Sequence, residues 1–268
     1  MFKRTAVALV ATVVLTGCAS DSDDQEPDSS EPTAELEIHP EPADHLAVAE
    51  SGFTVTPSED GEFTVSYAIV LENENPDYAA YQVGVDVGWL DAAGEPTDVL
   101  PPEGGPVREH AVMWIPPGGT WVLADVVSVT TEPTEFTVEF SGEEQFNRWL
   151  AVDRLPETGQ LTVADATVLE PGDREASDWW EAELTVDSSF TTQLNGVNLA
   201  MVLRDETGTV VGGNRTYGAE QPKIDNGENL VALTMPEDLI PPTADLEQSE
   251  YYAQLTWNTV WDPIPESN

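Results

Sequence analysis

Cations, histidines and thiols are scarce in this chain of 268 residues. Nine Lys and Arg stand against 51 Asp and Glu, a formal net charge of −42. Phosphate backbones are held by clustered cations, so this balance argues against nucleic acid as a partner. Anionic lipid headgroups are disfavoured by the same repulsion. Of the three histidines, His39 and His45 precede the patterned part of the chain, and His110 follows Arg108 and Glu109 in what reads as a solvated loop. The C-terminal half has none, so a histidine triad or a histidine zinc site has no basis there. A single cysteine, Cys18, allows no intrachain disulfide and no thiolate cluster. Phosphate-binding glycine loops, Gly-x-Ser-x-Gly elbows and His-Glu-x-x-His pairs are all missing. The expectation is a non-enzymatic chain with no cofactor and no metal centre. Pairs of carboxylates, the machinery of glycoside hydrolysis, carry no information where 51 acids offer so many.

What is present begins with an address. Lys3 and Arg4 form a short positive segment, and Ala6 to Leu15 is an apolar run too short to span a bilayer permanently. The run closes on Leu15-Thr16-Gly17-Cys18. This tetrad resembles the bacterial lipobox, in which small residues before the cysteine fit the lipoprotein signal peptidase and the thiol is acylated. The resemblance implies residues 1–17 as a signal peptide, lipidation at Cys18 with at least two acyl chains, and retention on the extracytoplasmic face of the cell membrane. Two chains anchor stably where one does not. Loss of Lys3 and Arg4 would leave the mature chain two charges more negative, with six arginines and Lys223 as its cations.

Residues 18–47 are dominated by Ser, Asp, Glu and Pro and contain no Lys or Arg. A segment of this composition cannot bury enough apolar surface to offset the entropy of ordering, so it reads as a disordered acidic tether. Its roughly 30 residues reach on the order of 30 Å as a coil, and further when like charges repel.

Beyond the tether the pattern becomes strand-like alternation with turn signals. Val83, Val85, Val87 and Trp89 share one face, as do Phe136, Val138 and Phe140, and Tyr251, Ala253, Leu255, Trp257 and Thr259. Phe146 to Val152 has the pattern of a turn or two of helix. Many short strands per hundred residues point to an all-β architecture, two tandem β-sandwich domains of immunoglobulin-like type. Their tandem character rests on an internal repeat. A shift of 114 lays Asn73, Val83, Val85, Val87, Trp89, Asp91 and Gly94 on Asp187, Val197, Leu199, Met201, Leu203, Asp205 and Gly208. A shift of 109 then lays Pro117-Gly118-Gly119-Thr120-Trp121-Val122 on Asn226-Gly227-Glu228-Asn229-Leu230-Val231. The expected domains are 48–145 and 157–268, joined by a linker at 146–156, each folding on its own core.

The repeated unit, a strand ending near Asn, a second strand closing on Asp-x-x-Gly and a later Pro-Gly turn, resembles the FxLYD-type domain of bacterial and archaeal surface lipoproteins. The motif segments read Val87-Gly88-Trp89-Leu90-Asp91 and Met201-Val202-Leu203-Arg204-Asp205. Phenylalanine and tyrosine are replaced in both, whereas Leu203 and the two aspartates match. The resemblance implies a small β-sandwich without known catalytic residues, so no site is carried over.

Binding is the remaining class of function. Trp114, Trp121, Trp179, Trp180, Trp257 and Trp261, with Tyr251 and Tyr252, are numerous for two small domains, and most belong in sandwich cores. Trp179 and Trp180 are adjacent, so on a strand one ring faces in and the other out. The outward ring is the candidate contact residue. The turns Ser58-Glu59-Asp60-Gly61 and Asp225-Asn226-Gly227-Glu228 are acidic but lack the ligand spacing of a calcium loop. The chain is thus read as a lipid-anchored surface protein that binds a protein or cell-wall polysaccharide partner without covalent chemistry. An envelope hydrolase using paired carboxylates and a structural spacer are the alternatives.

Overall fold

The computed structural model describes residues 45–58, 60–100, 105–141, 148–151, 159–169, 179–216 and 220–256. Residues 1–17, Cys18, most of the tether, Trp257 and Trp261 lie outside the described residues. The described chain is all-β, fourteen strands in antiparallel sheets with one 3-10 turn at Glu237–Leu239 and no α-helix.

In the first half β1 (Leu46–Pro57), β2 (Phe63–Asn73), β6 (Thr120–Val129) and β4 (Val99–Leu100) form one sheet in the order β1-β2-β6-β4. Facing it is a second sheet, β5 (Val107–Ile115), β3 (Tyr78–Leu90) and β7 (Glu135–Phe140), with β8 (Arg148–Ala151) also on β3. The second half consists of β9 (Leu161–Leu169), β10 (Trp179–Ser188), β11 (Asn198–Arg204), β12 (Val210–Arg215), β13 (Gly227–Pro236) and β14 (Asp245–Gln254), in sheets β13-β10-β9 and β12-β11-β14. The strand order of the second half repeats that of β1-β2-β6 and β5-β3-β7.

The repeat extends to individual hydrogen bonds. In the first turn the Asp91 carboxylate accepts from the backbone N–H of Ala93 and Glu95, and Gly94 takes φ 78°. In the second, Asp205 accepts from Thr207 and Thr209, and Gly208 takes φ 83°. Each aspartate satisfies the donors of a tight turn, and each glycine supplies the left-handed residue that closes it.

Alternation gives each half its core. Val83, Val85, Val87 and Trp89 are fully buried together with Tyr67, Ile69, Leu71 and Leu123. Leu184, Leu194, Leu199, Leu203 and Ile224 fill the second core. Within the segment expected to be helical, Phe146 to Val152, the described residues Arg148–Ala151 are instead strand β8, paired with Tyr78–Tyr81. Trp149 is buried in the first core, and tertiary pairing overrides the local pattern. Part of the expected linker thus belongs to the first sandwich. Gln82, at φ 50°, sits where β3 leaves β8 and has not yet met β7.

The halves are not connected by a linker alone, because β2 and β6 are covered on both faces. Their even-numbered side chains, Ala68, Val70, Val122 and Ala124, form a second buried cluster with Ala200, Val202 and Val210 of β11 and β12. Small residues let the sheets approach closely. A Cβ on Gly52 would lie 1.9 Å from the Val210 carbonyl oxygen, and one on Gly213 would lie 2.9 Å from the Cβ atoms of both Ala68 and Ala124. Polar groups stitch the same seam. Thr54 Oγ1 donates to Val211 O, and Ser66 Oγ both donates to Gly213 O and accepts from its N–H. The Gln254 amide pairs with both backbone groups of Val122, a donor and an acceptor at a sheet edge that would otherwise be left buried without partners.

Gly52→Ala is expected to lower stability by about 1–3 kcal/mol, because its methyl group meets rigid backbone and forces the seam open. Urea denaturation of the two proteins measures it. Equal stability would show that the halves are not packed at this distance.

Candidate functional site

The second sandwich opens at one end into a cleft of about 1410 Å³. Its floor is Trp180 at the start of β10, Ala166 and Val168 of β9 and Tyr251 of β14, and its rim is the Asp205–Thr207 turn with the Ile240–Leu246 connection. Trp180 pairs in register with Met235 and is partly buried. Trp179 pairs with Pro236, faces the opposite side of the strand and leaves 50 % of its surface exposed; it is not among the cleft's lining residues.

The cleft is acidic, with Asp205, Glu206, Glu237, Asp245 and Glu247 among its lining residues. Asp205 is already engaged as the turn cap. Bonds from the Thr207 hydroxyl and the Thr209 and Thr207 backbone hold its carboxyl below the usual range, which suits a fixed anion and not a general acid. Burial pushes the Tyr251 phenol up to about 12, so its hydroxyl stays neutral. Among the described lining residues there is no His, Cys or Lys. Such a surface can stack on a flat apolar face and accept hydrogen bonds from hydroxyl or ammonium groups.

The other aromatics divide as their alternation requires. Trp114 and Trp121 are buried, at 4 and 5 % exposure. Tyr252 packs on the seam cluster, where its hydroxyl donates to Glu250 at 2.5 Å. Neither acidic turn is built around a cation. Gly61 N–H donates to Ser58 O in an ordinary turn. In the second turn the Asn229 amide donates to the carbonyls of Asp225, Gly227 and Val186, so a side-chain amide fills the ring of oxygens that a metal would need. No cluster of three or more metal-ligating side chains occurs among the described residues.

His110 is not a solvated loop residue. It lies on β5, 9 % exposed, with Nε2 2.8 Å from Tyr67 Oη and Nδ1 3.4 Å from Arg215 Nη2. Burial, with the positive charges of Arg215 and Arg108, lowers its pKa to about 3, so the ring is neutral. Because a guanidinium only donates, Nδ1 is the acceptor and the proton sits on Nε2, which donates to Tyr67. Sequence reasoning failed here because Arg108, Glu109 and His110 look like a polar loop, while the β3 pairing that buries His110 lies far away in sequence.

Arg204 is a buried cation at the seam. Its Nη1 donates to Glu50 at 2.6 Å and to Gly208 O, and its Nη2 donates to Glu250 at 3.3 Å. These bonds, Glu50 foremost, raise its pKa and keep it charged despite 8 % exposure. The sequence signal was a lone arginine ending an apolar run.

His110 makes stability depend on pH. Its folded pKa of about 3 lies below the ordinary 6.5, so between these values the unfolded chain binds a proton that the folded chain refuses. The contribution is full above pH 6.5 and is lost as pH falls, by up to about 1.4 kcal/mol per unit. His110→Gln should flatten the fall between pH 6.5 and 5 when unfolding free energies are compared at each pH. Identical slopes for the two proteins would mean that the buried ring is protonated in the folded state.

No protein-family profile matches the chain, and no curated protein matches it in sequence.

Proposed function

We propose that this chain is an exported lipoprotein, held to the membrane by lipid on Cys18 and lifted from it by the acidic tether, that acts by non-covalent binding through the Trp180 cleft. The partner chemistry that fits best is a cell-wall polysaccharide of neutral or cationic character. One observation carries this reading: a cleft lined by Trp180, with acidic hydrogen-bond acceptors around it. Aromatic rings stack on the apolar faces of sugars, carboxylates accept from their hydroxyls, and the same carboxylates repel anionic polymers. The lipobox tetrad supports the anchor, and the FxLYD-like repeat supports a surface role without catalysis. Among the described residues no helix is long and apolar enough to cross a membrane.

The test is co-sedimentation of the full-length protein with purified cell walls, alongside palmitate labelling in cells. Trp180→Ala is expected to weaken wall binding roughly tenfold. Trp179→Ala, on the outer face of the same strand, should leave wall binding unchanged and shift stability by no more than about 0.5 kcal/mol. Labelling should be lost in Cys18→Ala. Wall binding unchanged in Trp180→Ala would overturn the cleft assignment. Wall fragments released by the protein, and lost on changing one cleft carboxylate, would make it a hydrolase. The docked seam favours the spacer reading in one respect, since it fixes the two sandwiches as a stiff unit, and a protein that binds no wall component at all would leave that role.

A further inference from the structure

Strand β13 forms one margin of the β13-β10-β9 sheet, and among the described residues β10 is its only strand partner. Ser189 N–H donates to Gln160 O toward β9, so the alternate residues Val186 and Ser188 address β13, at Asn229 and Gly227. The backbone groups of Glu228, Leu230, Ala232 and Thr234 therefore point away from β10. Thr234 agrees with this alternation, since its carbonyl accepts from the Asn214 side chain at 3.1 Å, outside the ladder. That bond closes one end of the edge, and Glu228 to Ala232 remain without a strand partner on this side among the described residues.

The counterpart of β13 in the first half is β6, and its outer edge is met. There β4 pairs with Val129 and Ser128, and the Gln254 amide takes both backbone groups of Val122. Edge strands are ordinarily kept from pairing by charge, bulges or shortness. Strand β13 has none of these over its length. It is ten residues long and pairs with β10 without a break in register. Asn229 to Pro236 carry no charge in a chain with 51 acids, and Leu230 exposes 72 % of its surface. The other edges among the described residues are blunted. Strands β1 and β12 are bulged, β4 and β8 are short, and β5, β7, β9 and β14 carry Arg108, Glu139, Asp165 and Glu250.

We propose that the outer edge of β13 takes an added strand, an extended segment of another protein with basic residues at its ends. The segment exchanges backbone hydrogen bonds with Leu230 and Ala232 and sets apolar side chains beside them, as in other strand-addition complexes. Its basic ends meet Glu228 on one side and Glu237 and Asp238 on the other, all three exposed. Charge rules against a second copy of this chain. Two antiparallel β13 strands centred on Ala232 would set Glu228 of each opposite Pro236, next to Glu237 and Asp238, and both molecules carry −42. The proposal is independent of the Trp180 cleft, since none of Glu228 to Thr234 lines it.

The probe is a terminally capped peptide of alternating threonine and valine with two lysines at each end, titrated into the full-length protein at constant ionic strength. The readout is amide hydrogen exchange followed by NMR. Saturating peptide should slow exchange at Leu230 and Ala232 about tenfold, because their outward N–H groups become bonded. Leu230→Lys, which puts a like charge on the edge, should weaken the peptide about tenfold. Ala232→Pro removes an outward donor and no ladder bond to β10, and should abolish binding. Exchange at Leu230 and Ala232 that the peptide leaves unchanged would overturn the proposal. So would equal binding of a peptide N-methylated at alternate residues, which cannot pair as a strand. A peptide with glutamates in place of the lysines binding as tightly would overturn the basic character of the partner. Protection that grows with protein concentration in the absence of peptide, with a dimer in sedimentation, would overturn the choice of occupant and give the edge to a second copy. The wild-type titration decides these outcomes even if a variant does not fold.

Discussion

Burial of strands β2 and β6 on both faces is the constraint on which the rest of the structure depends. One face carries Tyr67, Ile69, Leu71 and Leu123 into the first core, and the other carries Ala68, Val70, Val122 and Ala124 against β11 and β12. A sheet covered on both sides can leave no edge group without a partner. That requirement accounts for the Gln254 clamp on Val122 and the paired bonds between Ser66 and Gly213. It accounts also for glycine at 52 and 213, where any larger residue would strike the opposing sheet.

The same constraint organises the charges. A chain of net charge −42 gains solubility from its surface and pays for it in self-repulsion. Two of its few cations lie at the seam. Arg204 joins Glu50 of the first half to Glu250 of the second, and Arg215 reaches across to His110. A buried ion pair is weak evidence for stability in itself, but removing one partner leaves an uncompensated charge. The seam is therefore specific as well as tight: the halves dock only where these partners coincide.

Much of this was legible in the sequence, and the part that was not has a common cause. Period-two alternation placed Val83 to Trp89 and Phe136 to Phe140 on their cores, and the repeated Asp-x-x-Gly marked two turns that share their hydrogen bonds. The adjacent tryptophans at 179 and 180 divide between the two faces of a strand as expected, one half exposed and the other partly buried. Missed were the strand at Arg148–Ala151, the burial of His110 and the seam itself. Each depends on pairing between residues far apart in the chain, which local pattern does not encode. A trace of the seam was nonetheless present, because Tyr67 to Leu71 and Leu199 to Leu203 are apolar on both faces, as strands covered on both sides require.

Such a seam makes the two repeats one cooperative unit, and calorimetry of the full-length protein tests that most directly. The account predicts a single heat-absorption peak whose calorimetric and van't Hoff enthalpies agree. Two resolved transitions, each carrying part of the enthalpy, would contradict it and return the halves to independent domains.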